Sequence, residues 1–237
     1  MARDPRFDVL FEPVKIGPVT APNRFYQVPH ATGTGFRKPQ TSARLSGIRA
    51  EGGWGVVCSA YCSIHPSSDE EPETSATLWD DEDVRSHALM VENVHRHGAL
   101  AGVELWHGGS TCSNIDTREE STGPWSRPAR LPTPVQSRRM SKRDIRAYRR
   151  WHREAVLRAK RAGFDIIYVY LGHEYLLAQF RSSANQRSDE YGGSLENRLR
   201  LSRELLQETK EAVGDTCAVA ARYSAAGSVT ALAGDPR

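Results

Sequence analysis

Tyr170, His173, Glu174 and Tyr175 crowd together directly after the apolar run FDIIYV, Phe164–Val169, in a chain of 237 residues. A hydrophobic core has no use for such a cluster. Phenol, imidazole and carboxyl groups side by side can hold and exchange protons. The run before them has the length and the β-branched and aromatic content of a buried strand, entered from a helix through Ala162-Gly163. Titratable groups therefore sit at the carboxyl end of a parallel strand, the edge at which α/β proteins bind ligands. An ordinary loop with a satisfied histidine fits the same residues, so the rest of the chain has to decide.

Other strand ends carry groups of the same kind. Glu104 falls inside the strand Leu100–Leu105, just before the loop WHGGS. A carboxylate in a buried strand is costly unless paired or hydrogen-bonded, which makes Glu104 a site candidate. Arg222 lies at the end of the strand Cys217–Tyr223, and Tyr61 follows the strand Gly55–Ala60. The first main strand, Arg24–Val28, runs into Pro29, His30, Ala31 and a loop rich in threonine and glycine. Small side chains there let backbone amides approach a flat or anionic ligand, or simply make a turn.

Four helices must position these ends. One begins at Thr41 and is stopped by Gly52-Gly53; the others span Asp83–His97, Ser141–Ala162 and Ser194–Val213. The segment around Gly17-Pro18 reads as a hairpin-like lid ahead of the first main strand, and Thr111–Gln136 as one long loop over the active face. Five strands alternating with four helices specify a parallel α/β architecture. It can close as an open doubly wound sheet or as part of an eight-stranded barrel. No GxGxxG or GxxxxGK[ST] follows any strand, which weakens the nucleotide-binding sheet.

Composition narrows the function classes. The chain is 38% hydrophobic and 26% charged with a net charge of +3, and no apolar run approaches the roughly 20 residues of a membrane span. A cytoplasmic protein is expected. Eleven of its basic residues lie between Ser137 and Ala162 against two acidic ones. Without aromatic interleaving this reads as a solvated outer helix face, not a nucleic-acid surface. Cys58, Cys62, Cys112 and Cys217 lack zinc spacing and are expected as reduced thiols, and the histidines show no HExxH, so no metal site is expected.

The motifs HEYLLAQF and NQRSDEYGGSLENR resemble the N-terminal part of the old yellow enzyme family of FMN-dependent (β/α)8-barrel oxidoreductases. RFYQVPH, EGGWG, AGVELWHGG and Tyr170 with His173 are more similar to its trimethylamine dehydrogenase branch. The resemblance covers about Asp4 to Tyr223. It implies a TIM-barrel type fold, here a partial FMN-binding barrel domain over 1–223 followed by an atypical tail over 224–237. It also implies a flavin lying against Val28, Pro29, His30 and Ala31. Glu104 would sit beside the flavin's pyrimidine half, and Arg222 near its N1–C2=O edge, stabilising the reduced form.

Tyr170 and His173 would be the catalytic pair, in the Tyr-x-x-His pattern of the amine dehydrogenases. Tyr61 would be one wall of an aromatic bowl for a tertiary ammonium, with Tyr175 a further substrate contact. A glutamine replaces that wall in the dimethylamine relative, so Tyr61 favours trimethylamine-like substrates. The implied activity is oxidative N-demethylation of a small tertiary amine by hydride transfer to flavin. The alternatives are an NAD(P)H-dependent ene-reductase and an inactive truncated fragment. Ala31 stands where the branch has a flavin-linking cysteine, so FMN is expected to be non-covalent. The branch's iron–sulfur ligands and last three barrel strands do not occur in this sequence. A truncated or frame-shifted product with open sheet edges, prone to homodimerise, is expected, its electron acceptor unspecified.

Overall fold

The computed structural model describes residues 4–34, 37–69, 76–128 and 135–224. In chain order, β1 (Val14–Ile16) and β2 (Val19–Ala21) form an antiparallel hairpin, and β3 (Tyr26–Gln27) follows. Next come α1 (Pro39–Glu51), β4 (Val56–Ser63), β5 (Ala76–Thr77), α2 (Asp81–His95) and β6 (Leu100–Trp106). Then β7 (Thr122–Gly123), β8 (Arg127–Pro128) and β9 (Gln136–Arg139) precede α3 (Lys142–Arg161) and β10 (Ile166–Leu171). The short α4 (Leu176–Arg181), α5 (Leu195–Val213) and β11 (Ala218–Tyr223) complete the described chain.

The main sheet has the order β11-β10-β6-β4-β3, with β5 beside β4, and every pairing in it is parallel. Neighbours in the sheet are successive along the chain. That is the order of a barrel wall; a doubly wound sheet reverses direction part-way. Side-chain alternation confirms it. Val57, Val103, Leu105, Ile167 and Val169 point outward into one core shared with α1, α2, α3 and α5. Val56, Cys58, Ile166 and Ala218 point the other way, onto Ala21, Val14, Ile16 and Val19 of the hairpin. All the long helices thus cover one face, and the hairpin plugs the amino end of the other. The expected lid closes the floor of the wall.

Local sequence explains the helices. Ser141 and Asp144 form a capping box at the start of α3, whose buried face is Ile145, Tyr148, His152, Ala155, Val156 and Ala159, three or four apart. Arg143, Arg146, Arg150 and Arg153 are exposed, the solvated outer face that was expected. Ser194 caps α5 through the amide of Asn197.

Several boundaries differ from the sequence reading. Arg24–Val28 pairs only at Tyr26 and Gln27, and Val28 is 57% exposed beyond the ladder. Pro39, not Thr41, opens α1, since its fixed φ and missing N–H suit a first turn. The second helix begins two residues earlier than its apolar pattern, at Asp81, because Asp80 accepts hydrogen bonds from the amides of Glu82 and Asp83. β4 runs on through Tyr61 to Ser63 past a bulge between Cys58 and Tyr61, and β10 includes Tyr170. α4 is not among the four helices expected from sequence; its six residues are too few for periodicity to show. Thr111–Gln136 carries β7 and β8, which join β9 in a small sheet. The tail beyond Ser224 lies outside the described residues. Among the described residues the four cysteines are buried and unlinked, no cluster suits a metal ion, and no helix is long and apolar enough to cross a membrane.

Candidate active site

Alternation along the strands decides which groups share the mouth. From the floor upward the inward positions of β6 are Leu100, Gly102, Glu104 and Trp106; those of β10 are Ile166, Tyr168 and Tyr170; those of β11 are Ala218, Ala220 and Arg222. Gly102 is required by this layering, since a Cβ there would lie 2.5 Å from Cys58 Sγ. Above it Glu104 is fully buried and pairs with Arg222, Oε2 to Nη1 at 3.3 Å. Its other oxygen, Oε1, has no hydrogen-bond partner in the structure. Burial lifts the Glu104 carboxyl to about 7 although Arg222 pulls the other way.

Arg222 ties three elements together. Its Nη1 also donates to Pro29 O at 3.4 Å, and its guanidinium lies 5.3 Å from the centroid of the Tyr170 ring. Its side chain is 36% exposed. The loop carrying Pro29 is anchored from the other side by His30 N, which donates to Ser59 O at the β4 bulge. Pro29 and His30 are thus fastened to the strand ends, and Val28 and Ala31 flank them in the same loop.

A second loop at the mouth is the Tyr170 turn. Tyr170 Oη and His173 Nδ1 are hydrogen-bonded at 2.8 Å. His173 and Glu174 both take the left-handed conformation, with φ of 54° and 61°, unusual for two successive residues that are not glycine. Burial, assisted by the Arg222 charge, holds the His173 imidazole below its ordinary value, favouring the neutral ring. Tyr175 then turns back over the mouth, 5.2 Å from Tyr170, 6.2 Å from Tyr61 and 5.0 Å from Trp106, while Tyr61 and Trp106 are 4.9 Å apart. Four aromatic rings form a box above Glu104 and Arg222.

Every expected site residue on a strand is therefore gathered into one place. Trp106 was missed, having been assigned to the loop after the strand; the inward sequence Gly102, Glu104, Trp106 was its signal. The loops that frame the mouth are pinned to each other by Gly108 N donating to Ser68 Oγ at 2.8 Å and by Asp69 and Asn114. His107, next to Trp106, accepts from Gly109 N at Nδ1 and meets Ser67 Oγ at Nε2, and Ser67 Oγ meets His65 Nδ1. Burial depresses His107 to about 3.

A buried acceptor without a partner beside a cationic donor suits a flat heteroaromatic ring that presents an N–H next to carbonyl oxygens. The isoalloxazine of FMN has that edge, so the residues present fit the group. Sequence comparison agrees, for the model of the NADH:flavin oxidoreductase / NADH oxidase family, which binds FMN, matches residues 9–233. The chain belongs to this family. Within it, dimethylamine dehydrogenase from Hyphomicrobium sp. (strain x) is 41% identical over 229 residues, covering 94% of this chain and 31% of the relative.

Among solved structures, 6-hydroxypseudooxynicotine amine oxidase from Pseudomonas geniculata N1 aligns at 49% identity with a TM-score of 0.91, covering 94% of this chain and 34% of the other. Histamine dehydrogenase from Rhizobium sp. 4-9 aligns at 45% and 0.91, covering 97% and 35%. The old yellow enzyme homologue from Zymomonas mobilis, at 26% and 0.82, is covered over 62% of its length. This chain thus corresponds to about a third of the amine-oxidising relatives, and its parallel sheet matches part of the family's barrel.

Proposed function

We propose that this chain carries the flavin side of an amine-oxidising site: FMN held without a covalent link, and a small tertiary amine of the trimethylamine type oxidatively N-demethylated against it. The observation that carries the proposal is the buried Glu104–Arg222 pair with its open Oε1, lying beneath a hydrogen-bonded Tyr170–His173 pair and an aromatic box. When bound, FMN supplies the acceptor for a hydride from the carbon next to the amine nitrogen.

The chain's own groups do the rest. Glu104 Oε1 would accept a hydrogen bond from the bound ring, and Arg222 would stabilise negative charge developing on it. Ala31 has no sulfur with which to bond the cofactor. The faces of Tyr61, Trp106, Tyr170 and Tyr175 attract an alkylammonium by cation–π contact and exclude water. An ammonium must lose its proton before a hydride can leave, and in this reading the neutral His173, hydrogen-bonded to Tyr170 Oη, takes it.

The test is direct. Purified chain supplemented with FMN should show a quenched, shifted flavin spectrum, and acid precipitation should release all the flavin. Anaerobic trimethylamine should then bleach it faster than NADPH does. A protein that stays colourless after FMN addition overturns the proposal; bleaching by NADPH alone moves the reading to alkene reduction.

A further inference from the structure

The His173–Glu174 turn requires a restraint, because two successive non-glycine residues in the left-handed region relax toward ordinary backbone unless their surroundings hold them. Gln179, on α4, is 2% exposed. A carboxamide offers two N–H donors and two acceptor lone pairs, and here all four are used. Nε2 donates to Glu174 O at 2.7 Å and to Gly108 O at 2.9 Å, while Oε1 accepts from Ser110 N at 3.1 Å and Ser110 Oγ at 3.0 Å. Glycines make room for it: a Cβ at Gly109 would lie 2.5 Å from Oε1, and one at Gly123 3.2 Å. Arg127 on β8 extends the chain of contacts, its Nε donating to Ser110 Oγ at 2.7 Å.

We propose that Gln179 is a positioning residue: its carboxamide clamps the left-handed His173–Glu174 turn to the loop after β6 and so maintains the hydrogen bond between Tyr170 and His173. The inference rests on the reading of Tyr170 and His173 as the reacting pair, but its test does not need turnover. The groups facing His173 are Tyr170 on β10, Arg222 on β11 with Glu104 of β6 behind it, and Glu174 and Tyr175 on its own turn.

The experiment follows the His173 ring by NMR through a pH titration of the full chain labelled at histidine. In the parent, Tyr170→Phe should shift the His173 midpoint. In Gln179→Leu the same change should leave it unmoved, because the pair has already come apart. Adding Glu174→Gly, which suits a left-handed backbone without restraint, should restore the response. Ser110→Ala removes one of the four contacts and should give an intermediate shift; it decides the matter if Gln179→Leu does not fold. A Tyr170-dependent shift equal to the parent's in folded Gln179→Leu, or in Ser110→Ala when that is the deciding variant, overturns the proposal. Failure of amines to bleach bound flavin, with the NMR response as expected, sinks only the functional reading.

Discussion

The two ends of the same strands are built on opposite principles. At the floor, Val56, Ile166 and Ala218 meet Ala21 of the hairpin, and the polar groups packed beside them, the Tyr168 and Tyr26 hydroxyls, are hydrogen-bonded to each other and carry no charge. At the mouth, Glu104 is buried with one oxygen unpaired, Arg222 is shared among three elements, and two residues hold strained backbone. Alternation places both sets on the inner face, so what separates them is position along the strand. The floor provides packing that tolerates the mouth's cost, and the mouth keeps unsatisfied groups where a ligand can satisfy them.

The sharpest way to break this contrast is to damage each end alone. Ile166→Ala should cost about 2–5 kcal/mol in denaturant unfolding while FMN affinity per folded molecule is kept. Arg222→Met should do the reverse, weakening FMN binding on the order of ten- to a hundredfold by fluorescence titration, because a charge-assisted contact is lost. Similar losses of affinity and stability in both variants would remove the distinction.

The pH dependence of stability sets two buried histidines, His107 beside the mouth and His152 on α3, against Glu104, with opposite signs. His107 and His152 are held neutral by burial, near 3 and 4 against an ordinary 6.5. The unfolded chain takes up those protons first, so their contribution is complete above pH 6.5 and drains away as pH falls toward 4, each by about 1.4 kcal/mol per pH unit. Glu104 is raised from 4.5 to about 7, so its contribution is complete below 4.5 and is lost as pH rises to 7. Urea midpoints across this range should therefore fall on the acid side for His152 and on the neutral side for Glu104. Glu104→Gln should remove the second decline and leave the first.

Two smaller changes refine the layering. Gly102→Ala should cost about 1–3 kcal/mol by driving a methyl into Cys58, and Cys58→Ala should recover much of that in the double variant. Ser141→Ala, on the outer helix ring, should cost about 1 kcal/mol by thermal melting and affect neither end.

Much of the wall was legible because its signals are local. Caps at Ser141 and Ser194, the apolar spacing of α3 and α5, and a carboxylate inside an apolar strand state their roles within a few residues. What escaped depends on neighbours distant in sequence. Trp106 looks like loop until β4 pairs with it through Ser63, and Thr122–Gly123 and Arg127–Pro128 become strands only beside Gln136–Arg139. Gln179 reads as one polar residue in an apolar stretch, and its role exists only because glycines at 109 and 123 leave it space.

The sequence by itself determined the family, the parallel strand-and-helix alternation and the chemical types at each strand end, since propensity, capping and binary pattern act over short distances. Tertiary structure decided which of those ends meet. Strand register puts Tyr170 beside Arg222, and Arg222 in turn reaches Glu104 and Pro29. A left-handed turn aims His173 back at Tyr170, and burial by the wall shifts both Glu104 and His173 from their ordinary ionisation. Those properties belong to the assembled mouth, because they arise from desolvation and charge across elements that the chain brings together only on folding.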